Sequence, residues 1–282
     1  MFVSKFNASG NDFVILTKDQ LGGWADLSGL AVKLCDRLSG VGADGMIVVK
    51  DYAQICVKNA LFDSSNSVLT NQNSPKPSGQ LDFAWDFYNQ DGSRAQMCGN
   101  GSRAAAFFAF LNGICGKSAA FLTDAGVIKS SVEPQSQTQA LVEVAFSKAV
   151  EVAKPFCKAG FEWFFFDTGV PHLVAFVEDL NAFDATLCKQ MRDEFNANVN
   201  FARLTPQQLF VRTFERGVEG ETGACGTGMA ACFFASVVKK GAKESQIVLP
   251  TSGETLFFRL ENGAQIYFKG KVTHTFDANF FI

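Results

Sequence analysis

The chain has 282 residues, 47% of them hydrophobic and 19% charged, which is the composition of folded domains, and its length suits two of ordinary size. A formal net charge of -3 without clusters of Lys and Arg argues against a polyanion-binding surface, so nucleic acid is not an expected partner and a small molecule is. No apolar run approaches the roughly 20 residues that cross a bilayer, and "MFVSKFNASGNDFVIL" lacks the parts of a secretory signal, so the expectation is a cytoplasmic protein with no membrane partner.

Eight scattered cysteines with no CxxC pair read as reduced thiols. With only His172 and His274, and no zinc-knuckle spacing, no metal site is expected.

In chain order, "LSGLAVKLCDRL" (27–38) behind Asp26 has the apolar spacing of a helix. Residues 64–80, "SSNSVLTNQNSPKPSGQ", are polar and turn-rich and read as an exposed, mobile loop. "LDFAWDFYNQ" (81–90) alternates Leu81, Phe83, Trp85 and Phe87 on one face of a strand. A helix over about 102–112 follows, ended by Asn112-Gly113, and then a strand hairpin turning at Gly126. Further on come a helix over 184–195, a strand over 208–217, a helix over about 228–240 ended by Gly241, and a hairpin turning at Gly253.

The second half repeats the first. Aligning Cys98 with Cys225 superposes Gly99 on Gly226, Gly101 on Gly228, Ala104 on Ala231 and Phe107 on Phe234, and each turn glycine falls 28 residues after its cysteine. Self-similarity on this scale predicts two related domains. Both helices after the cysteines are apolar nearly all round, so each is expected inside its domain, wrapped by sheet.

A helix start presents unpaired N–H groups and partial positive charge, and glycines let a ligand approach that backbone. It suits an anion such as a carboxylate. A cysteine there should titrate below the free value of about 8.5. If the two helix starts converge, Cys98 and Cys225 flank one bound carboxylate and the carbon next to it. That arrangement removes a proton from one face and returns one to the other, inverting an α-carbon.

Three segments, "NASGNDFVIL", "FYNQDGSRAQMCGNGSR" and "TFERGVEGETGACGTGMAA", with "GVGADG", "TGVPH" (168–172) and "NVNF" (198–201) between them, resemble the diaminopimelate epimerases, amino-acid epimerases that use no cofactor. The resemblance covers essentially the whole chain. It implies that Cys98 and Cys225 are the catalytic bases and that Gly99, Asn100, Gly226 and Thr227 hold the reacting carboxylate. By the same resemblance Asn11, Asn89 and Asn198 contact substrate, Glu215 and Arg216 recognise the distal amino-acid end, and His172 and Glu215 tune the thiols. Relatives often carry Asn where this chain has Val170, and Phe276 stands where a relative has a tyrosine at a dimer contact.

The implied fold is α+β, with two pseudo-symmetric domains, each a mixed barrel-like β-sheet around a central helix. Residues 1–143 with a returning strand over 272–282 would form one domain and 144–271 the other. The implied reaction interconverts LL- and meso-2,6-diaminopimelate in lysine and peptidoglycan synthesis, in a homodimer. Three other readings share parts of the pattern. A proline or hydroxyproline racemase uses the same chemistry without a distal charged clamp, a cysteine hydrolase needs one thiolate and an acyl intermediate, and an anion-binding module needs neither thiol.

Overall fold

In the computed structural model, which describes residues 1–51, 81–146 and 148–281, one succession of strands and helices occurs twice. The loop expected over 64–80 lies outside the described residues. The chain divides into two units, Met1–Val142 with Val272–Ile282, and Glu143–Lys271.

The first succession runs β1 (Phe2–Ala8), β2 (Asn11–Thr17), α1 (Leu27–Cys35), β3 (Gly45–Asp51), β4 (Phe83–Asn89), β5 (Arg94–Ala95), α2 (Gly99–Leu111), β6 (Ser118–Thr123), β7 (Gly126–Pro134) and β8 (Gln139–Ala145). The second runs β9 (Val150–Lys158), β10 (Phe161–Asp167), β11 (Pro171–Phe176), α3 (Ala185–Phe195), β12 (Asn198–Leu204), β13 (Gln208–Glu215), β14 (Gly220–Thr222), α4 (Gly226–Lys240), β15 (Ser245–Pro250), β16 (Leu256–Glu261) and β17 (Gln265–Asn279).

In the first unit β1 lies antiparallel between β2 and the end of β17, with Phe2 opposite Asn279 and Ala8 opposite Val272. From β2 the sheet continues parallel to β3, antiparallel to β4, parallel to β6 and antiparallel to β7. The N–H groups of Gln135 and Ser136 donate to the Gln139 carbonyl and turn β7 into β8, which pairs with β17 and closes the ring. The second unit repeats the pattern. There β10 lies between β9 and β11, and the sheet runs on through β12 (parallel), β13, β15 (parallel), β16 and β17.

The strands beside the helices are apolar on both faces because each unit packs them on two sides. Phe13 and Ile47 approach Gly101 of the inner helix α2. Their neighbours Val14, Leu16, Met46 and Val48 cluster instead with Leu30, Ala31 and Leu34 of α1. The second unit has the equivalent outer cluster, in which Leu173, Val199 and Phe201 meet Cys188 and Met191 of α3.

Inside the first barrel every residue from Gly99 to Ala109 is buried, and Phe6 meets Phe107 and Phe108 edge-on at 6.0 and 5.9 Å. Inside the second, Phe233 lies 5.7 Å from Phe258, and Phe234 5.4 Å from Phe166. Each fully buried phenylalanine contributes about 1.5–3 kcal/mol, so the two inner helices anchor their barrels.

Several boundaries differ from expectation. α2 begins at Gly99 rather than 102 and α4 at Gly226 rather than 228, because the glycine-rich residues form the first helical turn themselves. α1 stops at Cys35 rather than 38: Asp36 is extended at ψ 126°, and its carboxylate accepts the N–H groups of Leu38 (2.9 Å) and Ser39 (2.6 Å). The strand β9 was not expected at all. Among the described residues no helix is long and apolar enough to cross a membrane.

Candidate active site

Cys98 and Cys225 hold the same station in their units. Each is the extended residue before the first turn of the inner helix, with φ -145°, ψ 120° at Cys98 and φ -104°, ψ 108° at Cys225. The first intrahelical bonds run from Ser102 N to the Cys98 carbonyl (2.8 Å) and from Met229 N to the Cys225 carbonyl (2.9 Å). Helix geometry therefore leaves the N–H groups of Gly99 and Asn100, and of Gly226 and Thr227, without a carbonyl inside the helix. Each thiol sits beside a backbone anion cradle.

At the first start, the N–H of Gly101 points to the Cys98 sulfur at 3.4 Å. Behind it runs a polar chain of fixed direction. The guanidinium of Arg103, fully buried, can only donate, and it donates to Ser9 Oγ and to Asn100 Oδ1 (2.8 Å). Asn100 must then turn its amide nitrogen to Asn11 Oδ1 (2.5 Å), and Asn11 turns its own to Asp44 (3.1 Å). Asp44 is tied to Arg37 at 2.7 Å. Thus Asn11 and Asn100 come together, whereas the Asn89 side chain donates to Ser93 Oγ (2.9 Å) in the turn that leads to β5.

At the second start, the Cys225 sulfur lies 3.5 Å from Thr227 Oγ1, which lies 2.9 Å from His172 Nε2. His172 is wholly buried, and desolvation, followed by the positive field of Arg216, takes its pKa down to about 3. It is neutral at any ordinary pH. Asn198 accepts the Arg216 N–H at 2.8 Å, and Thr168 Oγ donates to the Thr227 carbonyl at 2.9 Å. The Arg216 guanidinium donates to the Asn196 carbonyl at 2.9 Å, and among the described residues no ion pair joins it to Glu215.

Glu215 also lies at this second start. Its carboxyl accepts from Thr222 Oγ1 (2.9 Å) and shares a hydrogen bond with the Cys225 side chain. Burial raises its pKa, and those two bonds only partly oppose the rise. The arrangement is a carboxyl poised to exchange a proton with a thiol.

Sequence reasoning missed Ser9, Arg103, Asp44, Thr168, Asn200 and Thr213, the residues that brace these two starts. One signal was available: Asn198 and Asn200 are two apart on β12, which places both on one face, and Asn198 stands opposite His172 across the parallel pair.

The family model for diaminopimelate epimerase matches residues 3–152 and 164–275, one segment for each half of the chain. A diaminopimelate epimerase of Campylobacter jejuni subsp. doylei is 45% identical over 277 residues, covering 98% of this chain and 97% of the relative. The Helicobacter pylori protein of the same name is 35% identical over 289 residues, covering 97% and 94%. Among solved structures, a probable proline racemase from Agrobacterium radiobacter superposes with a TM-score of 0.68 at 12% identity, covering 100% of this chain and 93% of that one, which is a likeness of fold. With both halves matched by one family model and near-complete relatives at this identity, the chain belongs to the diaminopimelate epimerase family.

Proposed function

We propose that the protein is an isomerase that interconverts LL- and meso-2,6-diaminopimelate without a cofactor, by proton transfer between carbon and the thiols of Cys98 and Cys225. The observation that carries this reading is the repeated station of the two cysteines, each ahead of a buried helix whose first N–H groups have no internal partner.

In each direction one sulfur acts as thiolate and takes the α-proton, and the other, as thiol, gives a proton to the opposite face. The α-carboxylate is held by the N–H groups of Gly99 and Asn100 and of Gly226 and Thr227, where partial positive charge also stabilises the carbanionic transition state. Glu215 and His172 set the protonation of Cys225, Glu215 directly and His172 through Thr227. Asn11, Asn89, Asn198 and Arg216 contact the rest of the substrate, with the Arg216 guanidinium suited to the distal carboxylate.

The biological setting is lysine and peptidoglycan synthesis in the cytoplasm. The active form is a homodimer, for which Phe276, half-exposed on β17, is a contact residue. The two domains are 1–143 with 272–282, and 144–271.

The test is incubation with LL-diaminopimelate in deuterated water, following configuration and isotope at the α-carbon. Inverted product carries one solvent deuteron at that carbon, and Cys98→Ala and Cys225→Ala each abolish inversion. Full inversion by either variant would falsify the two-thiol mechanism.

A further inference from the structure

At the start of α4 a polar chain continues behind His172 to Asn200 and Thr213. Asn200 is fully buried on β12, and its Nδ2 lies 2.8 Å from the Leu173 carbonyl and 3.2 Å from His172 Nδ1. Its Oδ1 accepts from Thr213 Oγ1 at 2.9 Å. A backbone carbonyl can only accept, so the atom facing Leu173 must be the amide nitrogen, and the amide cannot be flipped. Its second hydrogen then points at His172 Nδ1, which must offer a lone pair.

We propose that Asn200 is a positioning residue that places the single imidazole proton of His172 on Nε2 and thereby turns the Thr227 hydroxyl proton toward the Cys225 sulfur. His172 Nε2–H donates to Thr227 Oγ1 across 2.9 Å, so the hydroxyl accepts on that side and its one proton is left for the sulfur at 3.5 Å. The Asn198 amide nitrogen also approaches Nε2, at 3.4 Å. Asn198 is held that way round by the Arg216 N–H on its Oδ1, so this longer approach is a contact between donors and the nearer Asn200 amide decides the tautomer.

The charged and titratable groups around the chain leave it intact. Arg216 disfavours the imidazolium, Glu215 lies on the sulfur, and burial keeps Cys232 a neutral thiol. Gly228 shows how closely the parts are fitted, since a Cβ there would stand 2.4 Å from Asn200 Oδ1 and 3.1 Å from Thr213 Oγ1. In the substrate-free protein the Thr227 hydroxyl thus serves the thiolate, and a carboxylate at this helix start is left to main-chain N–H groups.

This inference rests on the proposed function only in making Cys225 a working thiolate, and its first test needs no turnover. Nitrogen NMR of protein labelled with 15N-histidine, with His274→Asn to assign the signals, reads the tautomer directly. The expected result is Nε2–H at neutral pH; Nδ1–H in the wild-type protein overturns the proposal. Asn200→Asp replaces the donor with an acceptor and is expected to move the proton to Nδ1, so that Thr227 donates to His172 instead of to sulfur. The midpoint of Cys225 alkylation by iodoacetamide, followed peptide by peptide against pH, should then rise by about one unit, a tenfold loss of thiolate, which is the scale of one hydrogen bond to a charged group.

An unmoved midpoint in a folded Asn200→Asp protein also overturns the proposal. Should that variant fail to fold, Thr227→Val decides, because it removes the hydroxyl while keeping its shape and must raise the same midpoint; an unchanged midpoint there counts against the proposal. A wild-type protein with the expected tautomer and midpoint but no action on diaminopimelate would refute the proposed function and leave this arrangement standing.

Discussion

The Glu215 carboxyl and the Cys225 thiol share a hydrogen bond at the start of α4, and burial holds that carboxyl above its ordinary pKa of 4.5. A carboxylate beside a thiol is a route for its proton, and a buried carboxylate is also a cost to folding.

Glu215→Gln keeps the shape and removes the charge. Turnover should fall by about 10²–10⁴, the usual contribution of a positioned acid-base group, with a smaller change in KM. Stability should move the other way. A carboxyl with a raised folded pKa binds its proton more tightly when folded, so its stabilisation is complete below 4.5 and is lost as pH rises through the folded value. At neutral pH the variant should therefore melt higher than the parent, with the gap closing below pH 4.5; thermal melts across pH read this, and a parent that is equally or more stable at neutral pH contradicts it.

His172 gives a pH dependence of opposite sign. Its pKa is depressed from 6.5 to about 3 by burial, with Arg216 adding to the effect. The unfolded chain binds the proton more readily, so stability is fully present above 6.5 and falls as pH drops toward 3. The slope reaches at most about 1.4 kcal/mol per pH unit for this single proton. His172→Gln should flatten that part of the curve in denaturant titrations, and an unchanged slope would mean that the ring is charged in the folded protein.

Gly228→Ala sets two effects against each other. Alanine is favoured over glycine in a helix by about 1 kcal/mol, but here its Cβ would stand 2.4 Å from Asn200 Oδ1. Overpacking at a buried, hydrogen-bonded group typically costs about 1–3 kcal/mol. The variant should be less stable than the parent and lose most activity, and a gain in the urea midpoint would show that the strand has room to yield.

Arg216→Met should raise KM strongly and lower kcat/KM by at least about 10², because a site built to pair a charged group rejects its loss severely. Steady-state kinetics with LL-diaminopimelate decide it. Parent-like kinetics would leave Arg216 with only its bond to the Asn196 carbonyl.

What could be read without coordinates was the part written twice. The two cysteines, their glycines and the apolar helices behind them identify themselves by repetition, and the buried inner helices follow from residues such as Phe107 and Phe233. The helix starts were placed late because Gly99, Asn100 and Gly226 are poor helix formers whose place in the first turn is decided by the barrel around them. Asn200 and Thr213 were missed for another reason: a polar residue inside a strand reads as solvent-facing, and only packing shows that both are buried. In β9, Pro155 reads as a breaker, yet it lies where the pairing with β10 shifts register between Trp163 and Phe165, a place that asks for no ladder bond. The resemblance gave Glu215 two roles, at the substrate's far end and at the thiols, and the fold adds the bonds of its carboxyl to Thr222 and the Cys225 side chain.

The single strand β17 belongs to both barrels, its first residues pairing with β16 and its last with β1. During synthesis this makes the N-terminal barrel the later one to finish. Until Val272–Asn279 leave the ribosome, β1 has an open edge opposite β2, with its N–H and C=O groups offered to any passing strand. The C-terminal barrel has no such wait, since β9 already flanks β10 when the rest of that unit emerges. Released chains truncated after Lys271 should accordingly resist protease in the second unit while the first is still cut, and the N-terminal half expressed alone should aggregate unless the last strand is supplied as a peptide.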